Sequence, residues 1–314
     1  MAISRAQMMK ELLPGLNALF GLEYQQYEDE AGEIYETESS DRAFEEEVKL
    51  AGFGAAPVKS EGSSISYDTA QENFTARYTH ETVAMGFAIT EEAVEDNLYD
   101  SVSARYTKAL ARAMAHTKQV KGAFPLNNAY TAANFAAGDG KALCTQETTS
   151  GAGNFHTTID GTAIDNMLQT ASDLNETSLE QAVIDIAAFT DARGLLIAAR
   201  PRKLIVAPYN QFVATRILDT ELRPGTADND INALRTNGTI PEGYRVNHFL
   251  TTANKKRWFV VTDVPNGMKH FTRTPLQTGM DGDFDTGNVR YKARERYSFG
   301  VSDYLGIFGS GNIT

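Results

Sequence analysis

ARYTHETVAMGFAITEEAVEDNLYD, residues 76–100, carries an extended segment directly into a helix, and that junction decides the class of fold. Residues 52–90 read as extended chain, rich in Gly, Ser, Thr and aromatics, with alternation in ISY and FTARYTH. Thr90 is a good N-cap, and Glu91 and Glu92 sit where the positive end of a helix dipole favours them. Val94, Leu98, Val102, Tyr106, Ala109, Leu110, Ala113 and Val120 then keep an apolar stripe at spacings of mostly three and four. Lys118 and Lys121 suit the far end, and Gly122 is the expected terminator. A helix over 91–121 would be about 46 Å long, the length of a strut.

Upstream, the extended region predicts a hairpin whose tip lies near Ser60–Ser64 or near Asp68–Asn73. A two-stranded ribbon alone is marginal in water, so it must lie on something, and in an assembly a neighbouring copy is the support. Before it comes an acidic run: residues 21–50 hold eleven acids against Arg42 and Lys49, which puts −9 of the formal charge of −12 in that segment. It reads either as a solvated stretch or as a tether that finds a basic surface on another copy. The first twenty residues suggest a short amphipathic helix capped by Ser4 and broken at Pro14–Gly15.

Downstream, residues 131–177 are turn-rich, and SLEQAVIDIAAFTDARG predicts a helix with a Ser178–Gln181 capping box, ended by Gly194. RKLIVAP reads as a buried strand. A helix over about 208–219 follows, with Phe212, Val213, Ile217 and Leu218 turned inward. A loop through 222–243 leads to strands in YRVNHFL, RWFVVTD, MKHFTRT and VRYKARERYSFGVSD. Hairpin, long helix, helix, strand, helix and then strands make an α+β chain, not a βαβ alternation.

The last strand places Arg290, Lys292, Arg294 and Arg296 on one parity and Tyr291, Ala293, Glu295, Tyr297 and Phe299 on the other. Side chains alternate across a strand, so this is a four-cation stripe backed by a mostly apolar face. It could grip nucleic acid, form a solvated sheet face, or pair with acids of another subunit.

Catalytic and metal signatures are weak. The five histidines show no ligand spacing, Cys144 has no Cys or His nearby, and no nucleophile elbow is present. GDGKAL at 138–143 lacks the residues of a phosphate loop and reads as a turn. Asp281, Asp283 and Asp285 have calcium-loop spacing, but Thr286 and Lys292 occupy two defining positions; ADNDIN at 227–232 fails likewise. One cysteine allows no intrachain disulfide, and neither a membrane span nor a secretory signal is expected. No cofactor, metal or enzymatic activity is expected.

The stretch at 76–100, GDGKAL, residues 178–218, ELRPGTADNDINAL and VPNGMKHFTRTPLQTGMDGDFDTGNVRYKARERYSFGVSDYLGIFGS together resemble one family. It is that of the major capsid proteins of tailed bacteriophages with the Hong Kong 97-type coat fold. The likeness covers most of residues 50–310 and lies in the order and extent of these pieces. It implies an N-terminal arm at 1–50, an extended hairpin (the E-loop) at 51–89, and a peripheral domain at 90–177 with its spine helix at 91–121. An axial domain at 178–266, return strands of the peripheral domain at 267–302 and a C-terminal segment at 303–314 complete it.

The resemblance implies a protein that self-assembles, as hexamers and pentamers, into an icosahedral head shell around double-stranded DNA held non-specifically. It implies a portal protein at one vertex, a place in the virion and synthesis in the host bacterial cytoplasm. Because only about fifty residues precede the hairpin, a separate scaffolding protein is expected. Arg290, Lys292, Arg294 and Arg296 are expected to meet acids of an adjacent arm or hairpin, with Glu45, Glu46, Glu47, Lys59 and Arg77 as further inter-subunit residues. Some relatives cross-link the hairpin through a lysine; Lys59 lies there, but no partner motif accompanies it. The alternatives are an encapsulin-type nanocompartment, favoured by an N-terminal cargo-binding helix and scaffold-free assembly, and a nucleic-acid-binding protein.

Overall fold

The computed structural model describes residues 5–90, 92, 99–147, 151, 153–222, 231–283 and 287–311. Helix α1 (Arg5–Gln25) runs unbroken through Pro14. Its Leu16 and Phe20 are buried with Leu110, Met114 and Tyr291. Burying two such side chains at about 1.5–3 kcal/mol each offsets the roughly 3 kcal/mol cost of an interior proline, so the expected break does not occur.

Strands β1 (Glu36–Ser39), β2 (Phe44–Ala51), β3 (Gln71–Thr79) and β4 (Glu81–Ile89) follow. The hairpin is β2 paired with β3, so it begins within residues expected to be arm. Residues 52–70 form its tip, with a turn where the Ser63 amide donates to the Ser60 carbonyl, the first of the two expected places. The acidic segment is thus ordered chain: β1 lies parallel to a later strand and β2 belongs to the hairpin.

The long helix, α2 (Tyr99–Asn127), continues past Gly122 and through Pro125. Its expected start at Glu91, with Val94 and Leu98, lies outside the described residues. Gly122 serves close approach instead of termination: a Cβ there would stand 2.5 Å from the Ala31 Cβ where the 26–35 segment crosses. The buried face carries Leu110, as expected, together with Ala111, Met114, Ala115 and Ala123, whereas Tyr106 and Val120 of the expected stripe are exposed.

After the short pair β5 (His156–Thr157) and β6 (Ala163–Ile164) comes α3 (Glu176–Ala187). Asn175, not Ser178, is its N-cap, and Ser178 is the reciprocal member of the capping box. Gly194 adopts a positive φ of 78° in a turn beyond the helix. Next are β7 (Pro201–Val206), α4 (Gln211–Asp219), α5 (Ala233–Thr236), β8 (Tyr244–Val246) and β9 (Trp258–Thr262). In α4 the buried side chains are Ala214 and Ile217, while Phe212, expected inward, is 73% exposed. Two long strands, β10 (Met268–Gly282) and β11 (Val289–Val301), precede β12 (Ile307–Ser310).

Two four-stranded sheets result, in the orders β1–β10–β11–β4 and β12–β9–β7–β8. α1 and α2 cover the first around Leu16, Phe20, Met114, Tyr291 and Ala293. α3 and α4 close the second over Leu179, Ile186, Leu204, Trp258 and Phe308. This is the expected α+β class.

Candidate inter-subunit surface

β11 is central in the first sheet, so its alternation is read on both sides. Tyr291, Ala293, Glu295 and Tyr297 are buried under the helices, whereas Arg290, Lys292 and Arg294 are exposed and Arg296 half-buried. Glu295 is the one acid on the inner parity, and burial raises its carboxyl above the usual range. On the outer face the cations stand opposite Ala88, Gly86, Ala84 and Thr82 of β4. Those side chains are too short to screen them, and the Lys292 stem lies over Gly279 of β10. Arg290 pairs with Asp283 at 2.5 Å. Among the described residues Lys292, Arg294 and Arg296 have no ion-pair partner, and the Arg296 Nε is buried without a hydrogen bond. The stripe is therefore a flat face with three unneutralised cations; residues 284–286 beside it lie outside the described residues.

The hairpin has the opposite peculiarity. In β2 the outward parity is Phe44, Glu46, Val48 and Leu50, and the parity turned toward the body is Glu45, Glu47, Lys49 and Ala51. Glu45 accepts from the Ser40 hydroxyl at 2.7 Å. Glu47 takes Lys269 at 2.5 Å and the Ser302 hydroxyl, and Lys49 reaches Asp303 at 2.7 Å. Of the three acids expected to reach a neighbour, only Glu46 points outward, and it faces Arg77 across the pair at 3.8 Å. The Arg77 guanidinium lies 3.9 Å from the centre of the Phe44 ring. β3 turns Phe74, Ala76 and Tyr78 inward, Phe74 stacking on Tyr304.

The tip leaves apolar residues in water: Val58 is 97% exposed, Tyr67 92%, and Phe53 and Ile65 more than half; Lys59 is exposed among them. Arg193 holds the tip's base, donating to the carbonyls of Gly52 at 3.2 Å and Thr69 at 2.7 Å. Arg193→Ala removes two water-exposed bonds from a charged donor, together worth about 1.5 kcal/mol. It should speed amide exchange roughly tenfold at residues 52–54 and 68–70, measured by hydrogen–deuterium exchange, while the thermal midpoint stays put.

Sequence reading missed the buried ionic ties between distant segments. Lys203, on β7, contacts Glu33 and Glu242; Lys269, on β10, contacts Glu38 and Glu47. Asp139, inside GDGKAL, binds the His156 ring at 2.6 Å; that hydrogen bond and charge, with backbone amides, outweigh burial and lower its carboxyl. The stretch is the expected turn, bridged between Ala136 and Ala142. Cys144 is buried and its thiol pushed far up by desolvation, which leaves it unreactive. Among the described residues no His, Cys, Asp and Glu gather as metal ligands, and no helix is long and apolar enough to cross a membrane. What these surfaces can do chemically is adhere: cations without partners in one place, apolar side chains without cover in another.

A sequence profile described as phage capsid protein matches residues 73–309. No curated protein matches the sequence. Among solved structures, the virus-like particle from Pyrococcus furiosus aligns with TM-score 0.54 at 9% identity, covering 96% of this chain and 99% of its own. The capsid of Myoviridae phage XM1 gives 0.53 at 13%, covering 89% of both chains. The capsid of an empty GTA particle gives 0.54 at 16%, covering 89% of this chain and 88% of that one. At such identities these likenesses speak for the fold.

Proposed function

The chain belongs to the phage capsid protein family, and from that premise we propose that it is the major capsid protein of a tailed bacteriophage, closing an icosahedral head around double-stranded DNA. Membership makes it a structural protein of a shell, with the virion as its place. The observation that carries the finer reading is the hairpin, which hides charge against its own subunit and holds Val48, Leu50, Phe53, Val58 and Tyr67 out in water. Apolar surface of that extent marks an interaction site, and an adjacent copy in the shell is the partner that covers it.

In this reading α1, α2 and the β1–β10–β11–β4 sheet form the peripheral domain, and α3, α4 and the β12–β9–β7–β8 sheet the axial domain. The hairpin is the E-loop. Lys292, Arg294 and Arg296 take acids from an adjacent arm or hairpin. Many such weak contacts, repeated over symmetric copies, give a closed shell. Hexamers and pentamers, a separate scaffolding protein, a portal protein at one vertex and non-specific contact with the packaged genome belong to the same proposal, as does synthesis in the host cytoplasm.

One observation favours a second reading, a nanocompartment shell of the encapsulin type, for which an N-terminal helix is expected: α1 is one continuous helix, seated on α2 and the sheet. Electron microscopy of the chain expressed alone, and with its neighbouring genes, separates the readings. Heads that form only with a scaffolding gene and fill with DNA support the capsid. Uniform shells from the chain alone, filled with protein, support the nanocompartment; soluble monomers that bind duplex DNA tightly would overturn both.

A further inference from the structure

The chain crosses between hairpin and sheet twice: at Ser40, which follows β1, and at His80, the single residue between β3 and β4. Both are buried, and they touch. His80 Nε2 lies 2.8 Å from the Ser40 Oγ, and its Nδ1 lies 3.0 Å from the Ser298 Oγ on β11. Ser40 is held three times more: its amide donates to the Thr272 carbonyl on β10 at 3.1 Å, its hydroxyl donates to Glu45 on β2 at 2.7 Å, and its Oγ accepts from the Arg42 amide at 3.3 Å. A hydroxyl has one proton to give. Since the Ser40 Oγ gives it to a carboxylate, it must accept from His80, so Nε2 carries the hydrogen and Nδ1 accepts from Ser298. One neutral tautomer satisfies all four side chains and ties both crossings to the sheet.

A second proton has only Nδ1 to go to, where the Ser298 hydroxyl must turn round to receive it. The charged groups around the ring are Arg296 from β11, Arg273 from β10 and Glu45 from β2. Asp41 faces Arg273 at 3.8 Å, and Glu81, next in sequence to the ring, is turned away to Lys121 on α2. Burial first, then the two arginines, hold the imidazole below its ordinary value of 6.5; Glu45 alone opposes them. Beside the pivot lies a cavity of about 360 Å³, lined by Thr79, Glu81, Val120, Phe124, Phe135 and Phe299 among others. The crossing therefore has room to move once it is freed.

We propose that His80 is a proton-sensitive pin: neutral, it fixes the angle of the β2–β3 hairpin on the sheet; protonated, it lets the hairpin go. The pinned state binds a proton less readily than a released state with its imidazole in water. Pinning is thus complete above about pH 6.5, weakens as the pH falls from there toward the lowered value, and loses nothing more below it. This holds for any shell the chain builds and does not depend on the capsid reading.

The test is hydrogen–deuterium exchange of the purified full-length chain at neutral pH and at about pH 5, corrected for intrinsic rates. Wild type should exchange the amides of residues 44–51 and 71–79 about tenfold faster in acid, with α3 and β7 unchanged. His80→Gln keeps a donor and an acceptor but cannot take a proton, and should hold that change below about twofold. Glu45→Gln removes the one acid among the described residues that favours the charged ring and should move the acid transition to lower pH. A wild-type hairpin indifferent to pH, or an acid response surviving in His80→Gln, overturns the proposal. If His80→Gln does not fold, an unmoved transition in Glu45→Gln does the same.

Discussion

Lys269→Ala should destabilise the subunit by about 3 kcal/mol, read as a lower urea midpoint at unchanged slope. Lys269 is 3% exposed and holds Glu38 of β1 at 2.9 Å and Glu47 of β2 at 2.5 Å. Removing it leaves two carboxylates facing each other without their cation, and breaking a buried pair from one side costs about 3–5 kcal/mol. Glu38 is nearly half exposed and can rehydrate, so the lower end applies. Desolvation works against the ammonium, but the hydrogen bonds it donates to Glu47 and Glu38 outweigh it and raise its pKa above the ordinary 10.5. The ammonium's own contribution is thus complete at neutral pH and is lost in alkali, as pH rises through the raised value. The triple variant Lys269→Met, Glu38→Gln, Glu47→Gln removes all three charges and should recover at least half of the loss.

Arg294→Glu with Arg296→Glu should abolish ordered assembly at about 0.1 M salt while leaving the circular dichroism of the subunit unchanged. Arg294 is exposed and Arg296 half-buried, both on the parity opposite the side chains packed under the helices. Each exposed pair is worth up to about 1 kcal/mol, and reversal puts repulsion in its place, so two positions cost about 2 kcal/mol at each contact. That is about a 30-fold loss of pairwise affinity, repeated at every copy in the shell. Salt at about 1 M shortens the screening length to about 3 Å and should restore part of the yield. Normal shells from the doubly reversed chain at low salt would show that the stripe faces solvent.

The parts of the fold legible in the sequence are those where one side of an element is buried. β11 alternates because it lies between helices and open space, and its cations fall on the open side as read. α2 is readable as a long helix for the same reason; Leu110 of its expected stripe is buried, while Tyr106 and Val120 are exposed and Ala111 and Met114 pack toward α1 instead. β2 was misplaced by its inverted pattern. FEEEV looks like a solvated acidic run, yet period two is there: Phe44, Val48 and Leu50 share a parity with Glu46, and Glu45, Glu47 and Lys49 share the other. The inward partners of Glu47 and Lys49, namely Lys269, Ser302 and Asp303, lie more than two hundred residues away. No local spacing reports such distances. The parallel register of β1 on β10 was hidden for the same reason.

The inverted hairpin also fixes how its two allegiances respond to solvent. Its grip on its own subunit is partly ionic, through Glu47–Lys269 and Lys49–Asp303, and added electrolyte weakens such pairs to the degree that water reaches them. Its outward side chains are held to a neighbour by exclusion from water, which strongly hydrated anions such as sulfate reinforce. Ionic strength and choice of anion are thus separate controls: the first shifts the hairpin away from its parent subunit, the second toward the next one. A sulfate series should speed shell growth beyond a chloride series of equal ionic strength, and the difference between them measures how much of closure is owed to oil and how much to charge.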